Sequence, residues 1–318
     1  MVFSILINRG NSFANCLIHG GFAMLKIKIG LFCTVLYLLI SGSITFAAPS
    51  VSKSADNTDI HTFAVIPFYT PEKIWTLYTP FIEYLKKSTG VAWQLKLYNT
   101  HDELIEDICR GRVSAALLGP VPLGRANEKC GVKPLLAAIG KDGKPSYHSV
   151  ILTNTPTFIS LRDLNGGKFG FYKGSTAAHI IPAKMLKDAG VAMTEIQPVF
   201  FEGQDKIMSA LISGEITAAG VKENLAKKFD NVGLKTLAIS QPLPNFAICA
   251  NPSLSSSVRR NLVSSLTLLK PLSNSADANT MKSWDDEIKN GFTTPDKDFL
   301  PSVKSVFKIF VEIHETTK

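Results

Sequence analysis

The residues best suited to chemistry lie in one stretch, Gly170-Phe171-Tyr172-Lys173-Gly174-Ser175-Thr176-Ala177-Ala178-His179-Ile180-Ile181-Pro182. Lys168 to Tyr172 has the apolar and aromatic content of a short buried strand. Gly174 permits a tight turn, and Ser175 is a good N-cap for a helix that runs through Pro182 to Leu186 and stops at Gly190. Such a start presents unspent backbone N–H groups, the Ser175 and Thr176 hydroxyls and the positive end of the helix dipole. Such a start is suited to an anion. The plain alternative is that Ser175 only caps a helix.

Other polar and aromatic side chains fall on loops that follow strands. Tyr69 sits on the first such loop and is placed either to close over a ligand or to pack. Tyr147 either points its hydroxyl inward or fills a strand position. Gln204 and Asp205 open a helix, where Asp205 would also favour the dipole. His179, one turn into its helix, is an anion donor when protonated or else a half-buried polar residue. Lys222-Glu223 follows a later strand end, beside the same loops. No Ser/His/Asp order, metal-ligand spacing or Gly-rich nucleotide loop is present, so the chain reads as a binder and not an enzyme, with no cofactor.

The elements that position these residues come from a chain of 318 residues, 45% hydrophobic and 19% charged, which allows one large or two medium domains. Met24 to Lys28 is a basic start, Ile29 to Ile40 an uncharged apolar run, and Ser41 to Ala48 a small-residue region. That order makes 24–47 a secretory signal cleaved after Ala47, with 1–23 an upstream extension and 48–60 a flexible leader. Losing Arg9, Lys26 and Lys28 and no acid takes the formal charge from +8 to +5, which suits an anionic ligand. No dense Lys/Arg tract exists, which argues against nucleic acid. Three cysteines remain in the exported part. Cys109 and Cys130 each end a predicted helix and form the expected disulfide; three unpaired thiols are the alternative.

Two cycles of alternating strands and helices follow, 61–153 and 156–239, then a strand near Phe246 and helices over 255–269, 277–290 and 299–313. Pro80 is expected to kink the first helix. The pattern predicts an α/β protein of two lobes, each a mixed sheet flanked by helices. Lobe one takes 61–153 and 243–318, lobe two takes 154–242, and the C-terminal helices pack on lobe one. Crossings near Thr153–Pro156 and Ser240–Pro244 leave a cleft, and the strand-end loops surround it.

In order and spacing, Leu118-Gly119-Pro120, Tyr147-His148-Ser149, Asp163-Leu164-Asn165-Gly166, Gly174-Ser175-Thr176, Gly203-Gln204-Asp205, Gly214-Glu215 and Gly291-Phe292 resemble the periplasmic phosphonate/phosphite-binding proteins of ABC transporters. The likeness spans about 61–312. It implies the type II solute-binding fold, a monomer, capture of a phosphonate, phosphite or phosphate between closing lobes by Ser175, Thr176 and the N–H groups of Ala177 and Ala178, a cleft acid at Glu223, and delivery to a membrane permease. A receptor partnered with a histidine kinase is the alternative. The family's pattern often has another hydroxyl where Ala177 stands, an aromatic where Leu123 stands and a His where Gln204 stands.

Overall fold

The computed structural model describes residues 60–315. The signal segment 24–47, the extension 1–23 and the leader up to residue 59 lie outside the described residues.

The chain begins with β1 (His61–Val65), α1 (Pro71–Thr89), β2 (Trp93–Lys96), α2 (His101–Cys109), β3 (Ala115–Leu118), α3 (Pro120–Cys130) and β4 (Lys133–Ala138). A short β5 (Ser146–Tyr147) leads into β6 (Ser149–Thr153) and β7 (Lys168–Tyr172). A π-helical turn, Thr176–Ile180, then continues directly into α4 (Ile181–Asp188). β8 (Gln197–Phe201), α5 (Gln204–Ser213), β9 (Ala218–Lys222), α6 (Glu223–Ala226) and β10 (Lys235–Ile239) follow. The chain returns through β11 (Leu243–Pro244) and β12 (Ala247–Ala250), then α7 (Ser256–Thr267), α8 (Ser275–Met281), β13 (Phe292–Thr293) and α9 (Phe299–Glu315).

Two main sheets result. One has the order β13-β4-β12-β3-β1-β2, the other β10-β6-β9-β7-β8, and β5 pairs with β11 between them. Each sheet mixes parallel and antiparallel pairs. Central strands β3 and β9 are buried along their whole length, as helix-covered strands should be. The first helix shows why local sequence makes these elements. Pro71 fits the first helical position, Ile74, Tyr78, Phe81, Ile82 and Leu85 make one buried stripe, and Gly90 ends it in the left-handed region at φ 66°. The helix continues through Pro80 as one element.

Three expectations change. β6 belongs to the second sheet, between β9 and β10, so the first crossing lies at Tyr147–His148 and not at Thr153–Pro156; all five β6 residues are buried, which needs neighbours on both edges. The helix expected over 277–290 ends at Met281. The Asp285 carboxylate accepts from the Glu287 backbone N–H at 3.0 Å, a side-chain bond that competes with helix continuation. The Ser175 helix opens with a π turn because Ile180 N–H donates back to Ser175 C=O at 3.0 Å. Gly220 on β9 makes this packing possible: a Cβ there would lie 2.1 Å from the Pro182 ring.

Cys109 and Cys130 are joined by a disulfide with Cα atoms 5.5 Å apart. It ties the C-terminal ends of α2 and α3. The same pair of helices is bridged by Arg125–Asp102 at 2.5 Å and by Lys129–Glu106. The N-terminal ends of α2 and α3 point toward the space between the lobes, so this seam sets their spacing.

Candidate inter-lobe anion site

Loops from the two sheets meet around a buried cavity. Its free volume is ≈ 20 Å³, on a measure by which one water needs about 10–15 Å³. That is room for one or two waters, so an oxyanion would enter only as the lobes part, and an extended chain is excluded. The first-sheet side supplies His101, Gly119 and Pro122; the second supplies Tyr172, Ser175, Thr176, Ala177, Gln204 and Lys222; Tyr147 and Phe246 come from the crossings.

The Ser175 hydroxyl accepts from Ala178 N–H at 3.2 Å and caps the helix. The Ala178 donor is therefore spent, and Ala178 itself is fully buried beneath the cap. The unspent donors at this helix start are the N–H groups of Thr176 and Ala177. The Thr176 hydroxyl accepts from Val121 N–H at 3.0 Å, across the lobes, and interacts with the Tyr147 hydroxyl.

His101 is the first residue of α2, next to the Thr100 cap, whose hydroxyl accepts from Glu103 N–H at 3.2 Å. It is 7% exposed, and its Nδ1 makes no hydrogen bond of good geometry with any protein atom. Its ring meets Tyr172 edge-on with centroids 5.2 Å apart. Gly174, at φ +77°, closes over it; a Cβ there would lie 3.1 Å from His101 Nδ1. Burial, reinforced by Arg125, holds the imidazole pKa down at about 4, so the ring is neutral at pH 7. A neutral imidazole beside helix N–H groups and hydroxyls offers a further hydrogen bond to an oxyanion without adding charge.

At the far wall lies Lys222. Its Nζ donates to Asn245 Oδ1 at 2.8 Å and forms an ion pair with Glu287. Burial lowers its pKa, and Glu287 opposes that shift. Gln204 accepts from Lys222 N–H at 3.0 Å through Oε1. Further bonds join the lobes: Tyr172 donates its hydroxyl proton to Pro67 C=O, and Gln204 N–H donates to Phe68 C=O at 3.5 Å.

Five of the residues expected to bind ligand line this cavity: Tyr147, Ser175, Thr176, Ala177 and Gln204. The others are held elsewhere. Tyr69 is buried against Phe68 at 4.6 Å, with Lys73 Nζ 3.7 Å over its ring. His179 Nδ1 accepts from Gly174 N–H at 3.1 Å, and its ring packs against Phe171 and Phe200 at 5.5 Å each. It therefore shapes the turn from behind. Asp205 accepts from Lys206 N–H at 3.1 Å. Glu223 accepts from His148 N–H at 3.0 Å and pairs with Lys227 at 2.9 Å, in a larger outer cleft that shares Tyr147 and Lys222 with this cavity. Leu123 is packed into the core at 1% exposure.

Sequence reasoning did not single out His101, Tyr172, Phe246 or Glu287. For His101 the only local signal was its place beside a capping box. For Lys222 the strand-end position was visible, but the adjacent Glu223 drew the assignment.

Two α/β lobes with a ligand-sized cleft region between them define a two-lobed solute-binding protein of type II. The family model for the phosphonate periplasmic substrate-binding protein of ABC transporters matches residues 63–299, and the chain belongs to that family. The fold is similar to that of a Prochlorococcus marinus protein solved in complex with methylphosphonate, with TM-score 0.71, 14% identity, and 81% of this chain and 100% of that one covered. It is also similar to a binding-protein component of a phosphonate ABC transporter from Pseudomonas aeruginosa, with TM-score 0.69, 16% identity and 81% and 89% covered. The aliphatic sulphonate-binding protein of Escherichia coli is a more distant likeness, with TM-score 0.59 and 13% identity over 81% and 89% of the two chains.

Proposed function

We propose that this chain is an exported receptor that holds one small oxyanion between its lobes and presents the closed form to an ABC permease. Ser175, Thr176, Ala177 and His101 hold the anion. The observation that carries this reading is the placement of His101, a buried imidazole whose Nδ1 lies against the Gly174 backbone without a hydrogen bond of good geometry, in the same small cavity as the Ser175–Ala177 helix start. Buried polar groups are rarely left unpaired, and an oxyanion here would answer three kinds of neutral donor at once.

Closure follows from the same atoms. Thr176 and Tyr172 each bond the opposite lobe next to the cavity, so lobe closure and anion capture are coupled. A monomer suffices, because both lobes come from one chain. Export by cleavage after Ala47 supplies the compartment in which the Cys109–Cys130 disulfide persists.

A thermal-shift screen of the exported protein against methylphosphonate, phosphite, phosphate and sulfate tests this. Ligand at 100 times its dissociation constant should add about 2.7 kcal/mol. Stabilisation by one oxyanion class supports the receptor. Stabilisation by uncharged organic ligands alone would refute it.

A further inference from the structure

One wall of the cavity is a finished receptor for an ammonium group, and the chain fills it with its own. Lys222 Nζ lies 4.2 Å from the Tyr147 ring centroid and 4.3 Å from that of Phe246. The two rings are near parallel at 12°, with centroids 6.5 Å apart. The Glu287 carboxylate and the Asn245 amide oxygen complete the surround. Two aromatic faces, a carboxylate and an amide oxygen are the complement of a primary ammonium. Lys222 and Glu287 are 3% and 6% exposed, and the Asn245 and Glu287 side of the seat borders the outer cleft.

This seat opens on the cavity of the anion site, since Lys222, Tyr147 and Phe246 all line it. Tyr147 joins the two ends. Its hydroxyl meets Thr176, and its ring faces Lys222. A ligand with an anionic head at Thr176 and a short amine tail would direct that amine to the place Lys222 holds. It would meet a like charge there, and a carboxylate already committed to Lys222 and to Asn224 Nδ2 at 2.8 Å.

Resting on the oxyanion reading above, we infer that Lys222 occupies the ammonium seat of the cavity and restricts the ligand to compact oxyanions that carry no amino group. Lys222 is thereby a specificity-determining residue.

Calorimetric titration of the exported protein with methylphosphonate and 2-aminoethylphosphonate tests the inference without any mutation. Wild type should bind methylphosphonate at least about tenfold more tightly, since like charges at a buried contact are strongly unfavourable. Equal affinities, or a preference for the amine, would overturn it. In Lys222→Ala the preference should reverse, because Glu287, Tyr147 and Phe246 are then free to take the ligand's amine. An unchanged preference in a folded Lys222→Ala protein would also overturn it. A third arm does not depend on the anion: ethylammonium should raise the melting temperature of Lys222→Ala and leave wild type unmoved. Equal response of the two proteins refutes the seat itself, whereas failure of wild type to bind any oxyanion refutes the underlying receptor reading and the ligand restriction with it.

Discussion

Lys222, the last residue of β9, is ion-paired across the lobes with Glu287, which lies in the turn that replaces the end of α8. Both side chains are almost wholly buried, at 4% and 5% exposure. Each has secondary partners, Asn245 for the ammonium and Asn224 for the carboxylate. A buried pair with satisfied partners adds little net stability over apolar groups, but breaking it leaves a stranded charge. The pair ties the end of β9 to the segment after α8, and so links the two lobes.

Glu287→Ala should therefore cost about 3–5 kcal/mol in urea unfolding. Small-angle scattering should show a larger radius of gyration as the lobes part. Replacing both partners, Lys222→Met with Glu287→Leu, should recover most of the loss. A Glu287→Ala protein with wild-type stability and radius would show that the pair is incidental.

The cap and the anion site can be separated at Ser175. Ser175→Asp keeps an acceptor for Ala178 N–H and favours the helix dipole, so stability should stay within about 0.5 kcal/mol. The same carboxylate repels an oxyanion, and binding should vanish. Ser175→Ala should lose about 1 kcal/mol of stability with the cap. Retained binding in Ser175→Asp would move the anion away from this helix start.

The Cys109–Cys130 bond closes a loop of 21 residues and braces the two helices whose first turns face the cavity. Reduction, or Cys109→Ser with Cys130→Ser, should lower stability by about 3 kcal/mol. Ligand affinity should fall with it, because His101 and the start of α3 lose their fixed spacing. Calorimetry with and without reductant reads both effects. An unchanged affinity would mean that Arg125–Asp102 and Lys129–Glu106 hold the spacing alone.

Acid should destabilise the fold through its buried histidines. His101 and His179 are each held at about 4, below the ordinary 6.5, chiefly by burial. As pH falls below 6.5 the unfolded chain takes protons that the folded chain refuses, so stability present above pH 6.5 is lost toward pH 4. Asp285 works against this. Burial, with Glu287 beside it, raises its pKa from 3.8 to about 6, so the folded chain takes that proton first. Two histidines against one carboxyl leave a net fall, of order 1.4 kcal/mol per pH unit for each uncompensated proton. His101→Gln should flatten the slope of urea midpoint against pH between 6.5 and 5. A slope as steep as wild type would remove His101 from the account.

Much of this arrangement was readable from local pattern, and the exceptions have physical causes. The strand, turn and cap at Gly170 to Thr176 are set by near neighbours, so residue types alone located the helix start that lines the cavity. His101 was hidden because a capping box reports only that a helix starts; its burial comes from Tyr172, which arrives from the other lobe. Lys222 was hidden by its neighbour. Strand alternation sends Lys222 and Glu223 to different surroundings, and pairing of Lys222 with Ser149 decides which one enters the cavity. The place of β6 was misassigned because its apolar centre, Val150 to Leu152, carries no mark of which sheet will bury it. Glu287 was read into a helix that stops at Met281, and its N–H turns to the Asp285 carboxylate instead.

The central claim is that His101 and the Ser175–Ala177 helix start hold one small oxyanion. The most direct measurement is calorimetric titration of the exported protein and its His101→Ala variant with methylphosphonate and phosphate at pH 7. Wild type should bind one anion per chain with at least one of these ligands. His101→Ala should weaken that binding by about 1–3 kcal/mol, the loss of a single buried hydrogen bond, while remaining folded by circular dichroism. One-to-one binding that His101→Ala leaves untouched, or no binding by wild type at all, would contradict the account.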